Sequence, residues 1–376
     1  MHVYQQEKDL AAWLLFLKAP GIGPIKQQKL LDAYSEPINV IAAKPSELRA
    51  LGCSGQSIRF LKRATSHDVH YELNWLQSSD NHYLITQNES SYPALLRNIH
   101  SAPTALFIKG DPTTLTLPHF AIVGSRKASM DGKQTAQSFA NYLANMGLVI
   151  VSGLAHGIDE QAHLGALKTG KTIAVCATGL DIIYPRAHYE LAQQISQSSC
   201  LISEFLPGTT ARKEFFPRRN RLISGLCIGT LVIEAGIKSG SLITAQFALE
   251  QNREVFAIPQ SIHNPLGKGC HQLIKQGATL AESAEDIFAE LIGQFAFLQE
   301  QIELSAPDSI KNNSNTLDLN DDELNHVWRH LSHQWYSIDE LVQISKMSAS
   351  TLTNKLLQLE LEGRVLADEY GRYRKI

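Results

Sequence analysis

Apolar side chains recur at i, i+3 and i+4 through residues 1–80. Leu10 to Leu17 form one such stripe and Lys26 to Tyr34 carry another. That period predicts helices with one buried face. From about residue 100 the pattern changes to short, predominantly apolar runs without polar alternation: Phe120–Val123, Leu148–Val151, Thr172–Val175, Leu201–Ile202, Thr230–Ile233 and Glu254–Ile258. Helical periodicity separates most of them, over Gly132–Met146, Ile158–Thr169, Ala187–Ser196 and Leu242–Gln251. Buried strands alternating with helices predict an α/β fold, a Rossmann-like parallel sheet covered by helices, over residues 81–299. Residues 300–320 read as an acidic, polar linker. Beyond it, Asp322–Leu331, Ser337–Ile344 and Ser348–Leu361 predict three helices, with Ser337 and Ser348 as N-caps. A hairpin around Glu369-Tyr370-Gly371 completes a winged-helix-like domain over 321–376.

The chain has 376 residues, too many for one ordinary core. Its net charge of −3 does not point to a nucleic-acid partner, so any such site must come from local clustering. Cys53, Cys176, Cys200, Cys227 and Cys270 are scattered and form no C-x-x-C, which argues against a disulfide framework or a zinc knuckle. With no basic leader and no apolar run long enough for a bilayer, the expected location is the cytoplasm, with no membrane anchor.

In a parallel α/β sheet the ligand crevice lies beyond the carboxyl ends of the strands. The loop there reads Gly124-Ser125-Arg126-Lys127, not G-x-G-x-x-G. The second strand ends Ser152-Gly153, not in an acid. Both halves of a dinucleotide fingerprint are missing. What remains is a hydroxyl, a guanidinium and the N–H groups of a helix start, which suit a phosphate. Arg126 could instead pair with Glu204 or Glu234. The segment Gly208–Arg221 brings Arg212, Lys213, Arg218, Arg219 and Arg221 together with Phe215, Phe216 and Asn220. Cations tracking a backbone with aromatic rings between them favour a single strand, whose bases are free to stack; Arg219 or Arg221 could be structural. Gly179–Arg186 adds a crevice loop ending in Arg186. Gly236–Thr244 reads either as a phosphate-binding nest or as a capped helix start. Pro20-Gly21-Ile22-Gly23-Pro24 resembles a helix-hairpin-helix turn and equally suits a plain turn in a helical bundle. Asp159 and His163 share a helix face, with His156 as the third residue of a conceivable metal set. No H-E-x-x-H is present, however, and an N-cap role explains Asp159 better, so no metal or cofactor is expected. No G-x-S-x-G elbow or P-loop appears.

Gly124-Ser125-Arg126, Ser152-Gly-Leu-Ala-His-Gly-Ile-Asp159, Gly179-Leu-Asp181 with Tyr184-Pro185, Phe216-Pro-Arg-Arg-Asn-Arg221 and Ser239-Gly-Ser-Leu-Ile-Thr244 stand in an order that resembles the DprA (Smf) family of DNA-processing proteins. The likeness is dense over about residues 90–290. The chain departs from the family at Met130-Asp131, Thr178, Cys227, Gln260 and His271. The resemblance implies a SAM/helix-hairpin-helix-like domain over 1–80. It also implies a non-enzymatic protein that binds and protects single-stranded DNA and helps load RecA recombinase against single-strand-binding protein during natural transformation. A homodimer through the Rossmann-like domain is implied too. The expected contacts are Gly124, Ser125, Arg126, Ser152, Gly153, Arg186, Arg212, Lys213, Phe216, Arg218 and Asn220. The competing reading is a nucleoside-monophosphate phosphoribohydrolase-like enzyme using Arg126 for phosphate and Glu234 for the ribose or base. Its P-G-G-x-G-T loop is absent.

Overall fold

The apolar runs of the central region lie side by side. The fold is that of a computed structural model describing residues 2–291, 331, 334–345, 347, 352, 355–356, 359, 365–367 and 372–375. Its large sheet contains β1 (His82–Thr86), β2 (Ala105–Gly110), β3 (His119–Val123), β4 (Val149–Ser152), β5 (Thr172–Val175), β6 (Cys200–Ser203), β7 (Gly229–Val232), β8 (Glu254–Ala257) and β9 (Thr279–Leu280). The order across the sheet is β1-β2-β6-β5-β4-β3-β7-β8-β9. All pairings from β6 to β9 are parallel. The expected parallel sheet is therefore present, extended at one edge by β1 and β2, which pair antiparallel to each other and to β6.

Successive residues of a strand point to opposite faces, and here both faces are covered. Ala121 and Val123 join Val149, Val151 and Val232 in one core, closed by Leu222, Ile223 and Leu226 of the helix Phe215–Leu226 and by Ala245 and Ala248 of the helix Gly240–Glu250. Phe120 and Ile122 face the other way, onto Ala136, Phe139 and Ala140 of the helix Met130–Asn145 and Ala162 of the helix Ile158–Ala166. Burial on both sides is why these strands carry no polar alternation.

Chain progression runs outward from β3 to β6 on one side and from β7 to β9 on the other. Loops leaving the carboxyl ends of β3 and β7 therefore diverge, and a crevice opens between them.

The N-terminal segment is helical, as its period predicts. Pro24, Pro37 and Pro45 each open a helix, a position where the missing N–H costs nothing. In the hairpin between the first two helices, Gly21 has φ +72° and Ile22 is buried. The segment shares a core with the sheet: Leu14, Leu15, Leu73 and Leu76 belong to the same cluster as Phe107, Leu154, Leu191 and Leu201. Buried Thr104 donates to Gln27 at 3.0 Å.

Residues Met1–Ile302 form one compact unit and Glu303–Ile376 another. In the second, Leu331, Leu341, Leu352, Leu356, Leu359 and Val365 form a small core. Strands β10 (Tyr336–Ser337), β11 (Val365–Ala367) and β12 (Arg372–Lys375) pair antiparallel in the order β10-β12-β11. Ser337 caps the helix Ile338–Ser345 as expected: Glu340 accepts from its N–H at 2.8 Å and its Oγ accepts from the Glu340 N–H at 3.3 Å. The linker 300–320, the Ser348 cap and most of the helices expected over 322–331 and 348–361 lie outside the described residues. No described helix is long and apolar enough to cross a membrane.

Candidate nucleic-acid interface

The crevice begins where β3 stops. A Cβ on Gly124 would lie 2.5 Å from Ile158 Cγ1, so only glycine lets the loop leave this close to the next helix. Ser125 turns the loop by accepting the Lys127 N–H at 3.1 Å, and its own carbonyl accepts the Ile158 N–H at 3.2 Å. Ser129 then caps the helix Met130–Asn145, accepting from Gly132 N–H at 2.9 Å. Glu234, fully buried beyond β7, accepts from both the Ser129 N–H (2.9 Å) and its hydroxyl (2.6 Å). That carboxylate ties the β3 loop to the β7 loop across the switch point. Ser129→Ala removes the cap and leaves Glu234 short of a donor. It is expected to destabilise the unit by about 1–2 kcal/mol, read as a lower thermal midpoint. An unchanged midpoint would show that the clamp carries no weight.

The second wall is the helix Phe215–Leu226. The sequence marked this segment by its cations and aromatic rings and not by a helical period; it is a helix, and its spacing presents Phe216, Arg219, Asn220 and Ile223 along one face. The Arg126 guanidinium lies 5.2 Å over the Phe216 ring, and Tyr184 meets that ring edge-on at 5.7 Å. The third wall is the start of the helix Gly240–Glu250, where Ser239 caps the Ser241 N–H at 3.3 Å. These walls enclose a cavity of about 820 Å³.

The charge in this cavity is one-sided. Arg126, Lys127, Lys213 and Lys238 line it, and among the lining residues the one acid is Asp159. Asp159 is buried and accepts from the N–H groups of Gly153 (3.1 Å) and Ala155 (3.4 Å). Burial pushes its carboxyl above the ordinary carboxylate range; the Arg219 guanidinium and those two N–H groups oppose the shift. Arg219 forms the floor. It is 3% exposed and donates to the carbonyls of Gly153 and Val175, at the carboxyl ends of β4 and β5. Among the described residues no acid lies within ion-pair distance of Arg126: Glu204 holds Arg221 and Arg218, and Glu234 holds Ser129.

Of the expected contacts, Gly124, Ser125, Arg126, Lys213, Phe216 and Asn220 line this cavity. Ser152 and Gly153 lie beneath it. The Ser152 hydroxyl is buried and donates to Ile122 O at 2.6 Å, and Gly153 O is taken by Arg219. Arg186, Arg212 and Arg218 are exposed but outside its lining. Arg212 sits 5.6 Å over Phe215. Arg218 sits 5.0 Å over Phe205 and borders a second cavity with Gly23, Lys26 and Lys29. Lys127, Tyr184, Arg219 and Lys238 complete the site and were not among the expected contacts. The position of Tyr184 before Pro185 and of Lys238 beyond β7 were available signals. Of the two readings of Gly236–Thr244, the helix start is capped and its residues also line the cavity.

The imagined metal set does not assemble. Asp159 caps the preceding loop, and Gly157 holds the N-cap position expected for it. His163 is a core residue whose Nδ1 meets Thr172 Oγ1 at 2.7 Å, and burial pushes its pKa down to about 3. All five cysteines are free and buried.

Known proteins are similar to this chain in sequence and fold. Residues 83–292 match the family described as DNA recombination-mediator protein A, and residues 312–369 match the DprA winged helix domain. Protein Smf of Escherichia coli (strain K12) is 38% identical over 341 residues, 88% of this chain and 89% of its own. The DNA processing protein DprA of Streptococcus pneumoniae is 48% identical over 203 residues, 54% of this chain and 72% of its own. The solved structure of S. pneumoniae DprA superposes with TM-score 0.68 at 37% identity, covering 74% of this chain and 97% of that one. A structure of Helicobacter pylori DNA processing protein A, concerned with its single-stranded DNA binding mode, gives TM-score 0.52 at 30% identity over 56% of this chain and 96% of its own.

Proposed function

The chain belongs to the DNA recombination-mediator protein A (DprA/Smf) family, and on that premise we propose that it binds single-stranded DNA in the crevice between β3 and β7. In this reading it protects the strand and helps load RecA recombinase onto it, against single-strand-binding protein, in natural transformation and recombination. The observation that carries the reading is Arg126 set over the Phe216 ring in a cavity that Lys127, Lys213 and Lys238 also line. A guanidinium without a protein carboxylate is available to a phosphate. Exposed Tyr184 beside it offers a ring face that an unpaired base can cover and a paired base cannot. RecA loading, a homodimer through the Rossmann-like domain, a cytoplasmic location and a division of labour among residues 1–80, 81–299 and 321–376 are proposed on family membership. Arg186, Arg212 and Arg218, outside the cavity, are proposed as contacts along the path of a longer strand.

The enzymatic alternative needs Glu234 facing a nucleotide. That carboxylate is buried and holds two donors of Ser129, which favours binding over catalysis.

The test is an anisotropy titration with labelled oligo-dT, competed by duplex and by nucleoside monophosphates. Single strand is expected to compete at far lower concentration than either. Each phosphate contact contributes about −0.7 to the log–log salt slope, so three contacts weaken binding on the order of tenfold between 50 and 200 mM salt. Equal competition by a mononucleotide, or release of free base from one, would overturn the reading.

A further inference from the structure

We infer that His156, Glu160 and His188 form a binding site for a divalent metal of the zinc type, placed where two loops of the crevice wall meet. His156 lies on the loop after β4, Glu160 in the first turn of the helix Ile158–Ala166, and His188 at the end of the short helix Arg186–His188. One ligand atom from each residue lies within 4.8 Å of the other two. The two imidazole rings stand 4.5 Å apart at 75°, and His188 Nε2 is 3.6 Å from Glu160 Oε2.

The orientation of His188 carries the inference furthest. The residue is 4% exposed, and its Nδ1 lies 2.9 Å from the Leu154 carbonyl. A carbonyl only accepts, so Nδ1 holds the proton and donates. In the neutral ring the lone pair is then on Nε2, the nitrogen that faces Glu160. A ring nitrogen bonded to a backbone carbonyl with the other left as donor is how metal-bound histidines are held. Bonds of about 2.0–2.2 Å in a tetrahedral sphere set ligand atoms roughly 3.3–3.6 Å apart. The Glu160–His188 spacing already matches, and His156 is exposed, with room to turn inward. A simple ion pair would use Glu160 and His188 and give His156 no part. Two imidazoles and one carboxylate are the donors of open zinc sites, whereas magnesium and calcium take oxygen alone. The fourth position is left for water.

Ala155, Asp159 and Tyr184 line the crevice within a few residues of these ligands. An ion would pin the loop carrying Tyr184 to the loop carrying Ala155. The site does not depend on what the crevice binds.

The experiment is equilibrium dialysis of the tag-free, chelator-treated full chain against micromolar Zn²⁺, with Co²⁺ absorption as a second readout. One equivalent of Zn²⁺ and visible Co²⁺ bands of a low-coordinate site are expected. His156→Ala and Glu160→Gln should each weaken uptake tenfold or more. Both residues are at least partly exposed, so neither variant opens the core as His188→Asn would. A His67→Asn/His70→Asn variant, altering an exposed histidine pair elsewhere, should retain full uptake. No stoichiometric uptake, uptake unchanged in the His156→Ala/Glu160→Gln double variant, or loss in the His67/His70 variant would each overturn the inference.

Discussion

Arg219→Ala is expected to cost about 3–5 kcal/mol of stability in the Met1–Ile302 unit, the largest effect of any single change in the crevice. The guanidinium is buried and donates to Gly153 and Val175, joining the ends of β4 and β5. It also faces the buried Asp159 carboxylate. Removing it leaves two carbonyls short of a donor and a buried acid without its cation. The guanidinium packs directly against the Gly153 backbone, and a glycine has no side chain with which to fill the void from that side. Urea unfolding followed by circular dichroism reads the change. Arg219→Met with Asp159→Asn should recover part of the loss, because the uncompensated charge goes with its partner. A single variant that unfolds at the parent's midpoint would show that Arg219 is not the floor.

Arg126→Ala is expected to do the opposite: little to stability and much to binding. The side chain is exposed, set over the Phe216 ring, and forms no ion pair with a described acid. Stability should therefore stay within about 0.5 kcal/mol of the parent. Oligo-dT affinity should fall by about 1.5–3 kcal/mol, roughly 10- to 150-fold, the range for a hydrogen bond to a charged group. The salt slope should become shallower by about 0.7 if one phosphate contact is lost. Arg126→Lys keeps the charge without the planar, two-pronged guanidinium and should fall between. Unchanged oligo-dT affinity in Arg126→Ala would remove the crevice from the binding path.

Much of the fold was legible because buried parallel strands leave a plain mark. Phe120–Val123 is apolar throughout and Thr172–Val175 is apolar after its threonine, and both appear as strands. β1 was not legible: His82-Tyr-Leu-Ile-Thr86 is a half-exposed edge strand that owes its place to pairing with β2. The helix Phe215–Leu226 was hidden by its own arginines. A run of cations beside Pro217 looks like a surface loop, and nothing local says that Arg219 and Arg221 are buried. Their partners, Gly153, Val175 and Glu204, lie elsewhere in the chain, so only the folded sheet brings the charges together. The same holds for the site. Gly124, Arg126 and Phe216 were readable from loop position and residue type. That Ser152 and Gly153 face inward, and that Lys238 faces the cavity, depends on how the loops of β4 and β7 turn.

Leu154 follows β4 with φ +57°, in the left-handed region where a leucine costs roughly 1–2 kcal/mol. It is wholly buried, in the same cluster as Leu14 and Leu15 of the first helix. Its carbonyl meets His188, and its neighbour Ala155 lines the crevice. The opening helix is thus a buttress for a strained corner of the crevice wall. Trimming it would not shed an appendage: Leu154 would be freed to swing back to an ordinary conformation, and the shape of the groove would go with it.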